Sequence, residues 1–309
     1  MACSKVLVFG PTGNVARVAA TTASKHGVKI FLVMRDPQKS IPGLSSEDEK
    51  NGDYERVQAD LTQPNTVKEA ASKTGAKRAF IYLAHGSQDH MRATLEALKA
   101  GGVEFVVFLS SYTVKEPLEK IPPQDIIPYM HARTEMQLLE VFGEKNFVAL
   151  RPGGFATNIL TWNEDGIKAG HVKLWSPKAS FDMITPDDMG EVAGLVLAKE
   201  LKDQHIIYLF GPKMISQEDQ IHVVEKALGK EIKIEDIDEQ AAVQQYQQKG
   251  IPEVFAKYLA ARMGEIYGKG FSGEEEENFH QGVKNVEKFT GHKATGFEEW
   301  VKANLDRFR

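Results

Sequence analysis

The chain has 309 residues, enough to bury a sizeable core as one large domain or as a domain with a smaller partner. Apolar residues make up 42% and charged residues 26%, which excludes a mostly disordered chain. A net charge of −5, with no Lys/Arg block interleaved with aromatics, argues against nucleic acid as a partner. No apolar run approaches the ~18 residues needed to span a bilayer, so no membrane partner is expected. The opening MACSKVLVFG runs straight into a strand without a small-residue cleavage site. The single cysteine, Cys3, excludes an internal disulfide and a Cys-built metal site, and the nine histidines form no HExxH-like pair. The expectation is a cytoplasmic protein with no metal.

In chain order, β-branched and aromatic runs predict strands over Lys5–Phe9, Lys29–Met34, Glu55–Gln58, Arg78–Leu83, Phe105–Leu109 and Phe147–Leu150. Amphipathic segments over 14–26, 64–74, 87–101 and 130–143 predict the helices between them. Continuous apolar strands such as FVVFL suit a parallel sheet covered on both faces. Alternation at this spacing implies right-handed crossovers and an α/β, doubly wound (Rossmann) sheet over residues 1–152. Beyond 152 the alternation fails. Gly-, Pro- and aromatic-rich segments lead to a helix over 187–200 and a strand over Ile206–Phe210. Residues 153–309 therefore read as a smaller, mixed substrate lobe, with sheet elements returning near 182–212.

The first strand runs into Gly10-Pro-Thr12-Gly13-Asn14-Val15-Ala16. Gly10 permits the sharp exit from the strand, Gly13 lets a pyrophosphate approach bare backbone, and Ala16 lets the helix pack on the strand. The helix start offers N–H groups and a positive dipole end to phosphates. The pattern gains its force from its place at the first strand–helix junction of a βα series. At the end of the second strand, in FLVMRDPQK, Arg35 and Lys39 favour a 2′-phosphate and hence NADP(H), with NAD(H) as the other possibility. Asp36 leaves two readings open: a carboxylate turned inward repels phosphate, and one turned onto DPQK caps that turn. Asp60 and Leu61, after the third strand, suit the adenine side, and Asp60 equally suits a helix cap. Ala84, His85 and Gly86 follow the fourth strand, where the middle of the cofactor would run.

On GPTGNVA, VMRDP, QADL, FLSS, RPGGFATNI and the C-terminal FTGHKATGFEEWVKANL, the chain resembles an NmrA-like member of the atypical short-chain dehydrogenase/reductase group. The resemblance covers nearly the whole chain, and the combination of VMRDP, RPGGFATNI and FTG…FEEWV is its most specific part. It implies a dinucleotide-binding fold. It also implies either an NADPH-dependent reductase or a redox-sensing regulator that binds a protein partner.

Short-chain dehydrogenases supply a proton and charge stabilisation from a Tyr-xxx-Lys pair with an upstream Ser. Here Ser111 ends the fifth strand, and IIPYMHARTEMQ gives Tyr129 with Arg133 four residues on, one helical turn away on the same face. Arginine in the lysine position can hold a ribose hydroxyl but does not deprotonate, so it cannot join a proton relay. Tyr129 reads equally as a helix-start aromatic packed on the core, and His131 is a rival donor that also suits the substrate pocket. After the sixth strand, Pro152, Gly153 and Phe155 would pass the nicotinamide. Phe155, Trp162, Trp175 and Phe181 are candidate substrate walls that imply an apolar small molecule. Thr185-Pro-Asp187-Asp188 reads as an ordinary helix start. The function expected is NADPH-dependent reduction of a C=O, C=N or conjugated C=C bond by a monomer or homodimer. The alternative is a non-catalytic NADP(H) sensor.

Overall fold

The computed structural model describes residues 4–199, 204–265, 271 and 273–309; Cys3 and the last residue of the helix expected over 187–200 lie outside them. In chain order the elements are β1 (Lys5–Phe9), α1 (Asn14–Lys25), β2 (Lys29–Met34), α2 (Ser46–Asn51), β3 (Tyr54–Gln58) and α3 (Pro64–Thr74). Then come β4 (Arg78–Tyr82), α4 (Arg92–Ala100), β5 (Phe105–Leu109), α5 (Ile126–Phe142) and β6 (Phe147–Pro152). They are followed by α6 (Asn158–Ala169), β7 (His171–Leu174), β8 (Ser180–Phe181), α7 (Pro186–Lys199) and β9 (Ile206–Leu209). The chain ends with β10 (Ile215–Ser216), α8 (Gln217–Leu228), β11 (Lys233–Asp236), α9 (Glu239–Gln248), α10 (Glu253–Glu265), α11 (Glu274–Thr290) and α12 (Phe297–Ala303).

The chain divides into two compact units. The first contains the described residues up to Pro152, with Pro186–Leu209 and Asn285–His292. The second contains Gly153–Thr185, Phe210–Lys284 and Lys293–Arg309.

The first unit is a seven-stranded sheet in the order β3-β2-β1-β4-β5-β6-β9, and every pairing is parallel. The order reverses between β1 and β4, the switch point where such sheets take ligands beyond their strand ends. One face of the sheet packs on α3, α4 and α5 through Ile81, Leu95, Phe108 and Leu138. The other carries α1 against α7. There the approach is close: a Cβ on Gly190 would stand 2.4 Å from Val18 Cβ, so glycine in α7 brings that helix onto α1 and fixes the line of α1.

Two helix starts differ from expectation. The helix expected over 87–101 begins at Arg92, because Ser87 and Asp89 close a turn instead of capping a helix there. The Met91 N–H donates to Ser87 Oγ at 2.8 Å and the Ala93 N–H to Asp89 Oδ2 at 2.8 Å. His90 and Met91 take left-handed φ values of 54° and 68°. The helix expected over 130–143 begins earlier, at Ile126; Pro128 is accommodated because first-turn N–H groups have no helical acceptor.

The second unit has its own core of Ile159, Leu160, Val172, Leu174, Ile221, Trp300 and Val301. Its strands are short. β7 pairs in parallel with β11, and β8 pairs antiparallel with β10.

Candidate functional site

α1 has Gly13 at its N-cap, in extended conformation, with no side-chain cap and no acidic residue in its first turn. The positive end of the helix is thus left without a side-chain acceptor. Gly10 turns the chain at φ +69°, its N–H held by the Val33 carbonyl at 3.0 Å, and Gly13 N–H returns to the Gly10 carbonyl at 2.9 Å. Thr12, Asn14 and Val15 complete the turn and the helix start.

At the end of β2, Arg35 is exposed, as is Lys39. The two readings of Asp36 are separated by geometry: its Oδ1 accepts the Gln38 N–H at 2.9 Å, so the carboxylate caps DPQK. Asp60 is likewise engaged locally, accepting from the Thr62 N–H and hydroxyl, each at 2.8 Å. Leu61 is buried in the sheet core, and its carbonyl accepts from Thr94 Oγ1 at 2.7 Å. Ala84 is buried, whereas His85 and Gly86 are exposed beyond β4. The sequence reading passed over Tyr82, the last residue of β4, which is 40% exposed and lies against Gly10. Phe80 and Tyr82 alternate with core-facing Ala79 and Ile81, and that was the available signal.

Beyond β5, Ser111 Oγ stands 2.9 Å from Thr113 Oγ1. On α5, Arg133 lies over the ring of Tyr129, its guanidinium carbon 5.0 Å from the ring centre. Tyr129 also meets His90 edge to face at 5.6 Å and packs against Val114, Ile121 and Ala132. Arg133 is poorly partnered: its Nη1 reaches only Met136 Sδ at 3.6 Å, and its Nε is buried without a hydrogen-bond partner. His131 does not fit the role of proton donor. Its Nδ1 is 2.9 Å from the Ile127 carbonyl; a carbonyl only accepts, so Nδ1 carries the proton. Burial pushes its pKa down to about 4, so the ring is neutral near pH 7 and its remaining nitrogen is an acceptor.

Two residues from the site, α5 turns a sealed charge inward. Glu135 accepts from Arg151 Nη2 at 2.6 Å and Nε at 3.2 Å, and from the Ser110 hydroxyl. Arg151 also donates to Tyr208 Oη and to Glu116 Oε1, each at 3.0 Å. Burial opposes its charge, but the paired Glu135 carboxylate outweighs that and holds Arg151 above the ordinary arginine value.

Pro152 closes β6 in the first unit, its carbonyl accepting the Tyr112 N–H at 3.0 Å. Gly153 and Phe155 belong to the second unit, where Phe155 bridges to Ile184. Phe181 packs on the second unit's main core. Trp162 and Trp175 instead hold the α9–α10 pair: Trp162 meets Tyr246 at 5.2 Å, and Trp175 Nε1 donates to the Ala260 carbonyl at 2.8 Å. Trp162 also lines a cavity of about 430 Å³, whose other walls are polar at His171, Glu235 and Lys249 and apolar at Val172 and Ile237. The buried Asp182 went unnoticed in the sequence. It accepts from the Gly154 N–H at 2.7 Å and the Gly211 N–H at 2.9 Å, and burial raises its pKa to about 6.

The family model for the NmrA-like family matches residues 2–301. The chain belongs to the NmrA-like family. Among curated relatives of this NmrA-like protein, the nitrogen metabolite regulation-like protein bik4 of Gibberella fujikuroi is 34% identical, over 99% of this chain and 98% of its own. Among solved structures, an NADPH-dependent quinone oxidoreductase of Escherichia coli complexed with NADPH superposes with a TM-score of 0.73 at 18% identity, covering 97% of this chain and 99% of its own. NmrA, a negative transcriptional regulator, superposes with a TM-score of 0.71 at 12% identity, over 99% of this chain and 97% of its own. The fold is thus shared by reductases and a regulator, and the site must decide function.

The first unit fits a phosphorylated dinucleotide on three observations. α1 opens without a side-chain cap, Arg35 is exposed beside a carboxylate already spent on its own turn, and the buried Arg133 Nε lacks an acceptor. Among the described residues no group of His, Cys, Asp and Glu could hold a metal ion, and no helix is long and apolar enough to cross a membrane.

Proposed function

We propose that this NmrA-like protein is an NADP(H)-dependent oxidoreductase that reduces a C=O, C=N or conjugated C=C bond of an apolar small molecule. The observation that carries this reading is the division of labour at the end of β2. Asp36 turns onto the Gln38 N–H, and the exposed Arg35, with Lys39 close in sequence, would face a 2′-phosphate. The N-terminus of α1, from Gly13 to Val15, holds the pyrophosphate, with Thr12 beside it. Arg133, whose Nε lacks a hydrogen-bond partner in the ligand-free protein, would hold the nicotinamide-side ribose.

A nicotinamide cofactor held by these residues would supply the hydride. The Tyr129 hydroxyl gives the proton, and the permanent charge of Arg133 lying on its ring stabilises the phenolate left behind. Ser111 offers its hydroxyl to the developing oxyanion. His131, neutral and bonded to Ile127, positions α5 and donates nothing. The apolar character of the substrate rests on Phe155, Phe181, Trp162 and Trp175, the last two of which also pack the α9–α10 pair. Loss of a general acid costs at least ~100-fold in kcat. Tyr129→Phe is expected to show that loss in NADPH oxidation with a quinone or enone, and unchanged turnover removes Tyr129 from the mechanism.

A second reading is a non-catalytic NADP(H) sensor that regulates a protein partner. Arg133 over the ring of Tyr129, in place of a lysine amine, favours it, since that charge cannot relay a proton. It predicts a partner whose affinity changes with cofactor redox state, and no turnover.

A further inference from the structure

β4 ends by emerging from the core. Ala79 and Ile81 face the helices α3 to α5, while Tyr82 faces the other way and is 40% exposed. Its ring lies on the glycine turn: a Cβ added to Gly10 would stand 2.6 Å from Tyr82 Cε1 and 3.2 Å from its hydroxyl oxygen. The space that glycine leaves open at this turn is therefore filled by an aromatic ring. The phenol also lies within electrostatic reach of strand ends on the far side of β1. Burial raises its pKa, Arg35 at the end of β2 lowers it, and Asp60 at the end of β3 raises it again. The net direction is upward, so the hydroxyl keeps its proton at neutral pH and can donate.

Three residues read as cofactor contacts thus act on one that was not: Gly10 by contact, and Arg35 and Asp60 through their charges. A dinucleotide with its pyrophosphate at the start of α1 and a 2′-phosphate at Arg35 must carry its adenosine ribose between those two points. The Tyr82 ring lies on Gly10, at one end of that path, and its hydroxyl is within electrostatic reach of Arg35 at the other. We propose that Tyr82 is a specificity-determining residue of the adenosine half-site, its ring supporting the ribose and its hydroxyl donating, beside Arg35, to the 2′-phosphate. This rests on the dinucleotide reading above, and it deepens that reading by naming a second source of preference for the phosphorylated cofactor. An aromatic floor restricts where the ribose can sit, and a charge-assisted hydrogen bond rewards the added phosphate.

The test is calorimetric titration of the full chain with two adenosine probes, adenosine 2′,5′-bisphosphate and adenosine 5′-monophosphate. Wild type, Tyr82→Phe and Tyr82→Ala are compared, with the thermal midpoint of each as the check on folding. Tyr82→Phe keeps the ring on Gly10. It is expected to bind the monophosphate as wild type does and to lose about tenfold for the bisphosphate, the usual scale of a hydrogen bond to a charged group. Tyr82→Ala is expected to weaken both probes. The proposal is overturned if Tyr82→Phe keeps the full preference for the bisphosphate. It is also overturned if Tyr82→Ala binds as tightly as wild type or more tightly, since the ring would then only pad or obstruct the turn. Wild type that binds both probes while the variants change nothing removes Tyr82 alone. Wild type that binds neither removes the dinucleotide reading and this proposal with it.

Discussion

The two faces of α5 carry charge in opposite ways. Toward the sheet, Glu135 is matched on both oxygens, and Arg151 gives its donors to Glu135, Glu116 and Tyr208. Two residues earlier, Arg133 has a stacked ring, one sulfur contact and a buried Nε without an acceptor. Both arginines stand on or against the same helix, so the contrast is one of purpose. A structural charge in a core needs every partner in place, because an unpaired one is costly. A charge meant for a ligand keeps a donor in reserve, and the ligand-free protein bears that cost. The satisfied arginine belongs to the scaffold, and the unsatisfied one is the candidate for a ligand.

The sharpest way to break this contrast is Arg151→Met, which leaves the Glu135 carboxylate buried with only the Ser110 hydroxyl as partner. It is expected to lower unfolding stability by about 3–5 kcal/mol in urea titration, and the double variant with Glu135→Leu is expected to recover most of the loss. Unchanged stability in Arg151→Met would mean that the pair does not hold β6 to α5.

Asp182, in the second unit, sharpens the same point, since backbone N–H groups alone satisfy it. Its folded pKa of about 6 lies above the ordinary value of 3.8, so the folded chain keeps this proton longer than the unfolded chain. Its contribution to stability is complete below the unfolded value and is lost as pH rises through about 6. Between these limits wild type should lose about 3 kcal/mol relative to Asp182→Asn. The opposing slope from His131, whose lowered pKa costs stability as pH falls from about 6.5 toward 4, is common to both proteins and cancels. Parallel pH profiles for wild type and Asp182→Asn would contradict this account of Asp182.

On the open face, Tyr129→Phe should separate function from scaffold. The ~100-fold loss of turnover is expected with no change in thermal midpoint, because the ring, its packing and its contact with Arg133 all remain.

The contrast also explains what could be read in advance. β1, β2, β5 and β6 were legible because each is a short, nearly continuous apolar run between turn residues, and burial on both faces demands that pattern. The glycine turn was legible because the backbone geometry leaves few residue choices. The start of α4 was not, since Ser87 and Asp89 serve a tight turn as well as a cap. β8 and β10, at two residues each, are too short to show any period. The Arg151–Glu135 pair joins residues 16 apart on different elements, and neither position signals the other without the fold. Asp36 was left between two roles because its acceptor function depends on one N–H, that of Gln38, which the sequence does not locate. That Trp162 and Trp175 also pack the α9–α10 pair was not legible, because aromatics near a cleft and aromatics between helices look alike in one dimension.

The central claim is that Arg35, with Asp36 withdrawn into its own turn, selects the phosphorylated cofactor. Calorimetric titration of the cofactor-free protein with NADPH and then NADH tests it most directly. The account predicts NADPH binding tighter by tenfold or more, about 1.4 kcal/mol. Equal affinities would contradict it, and binding of neither would leave the glycine turn as a piece of architecture alone.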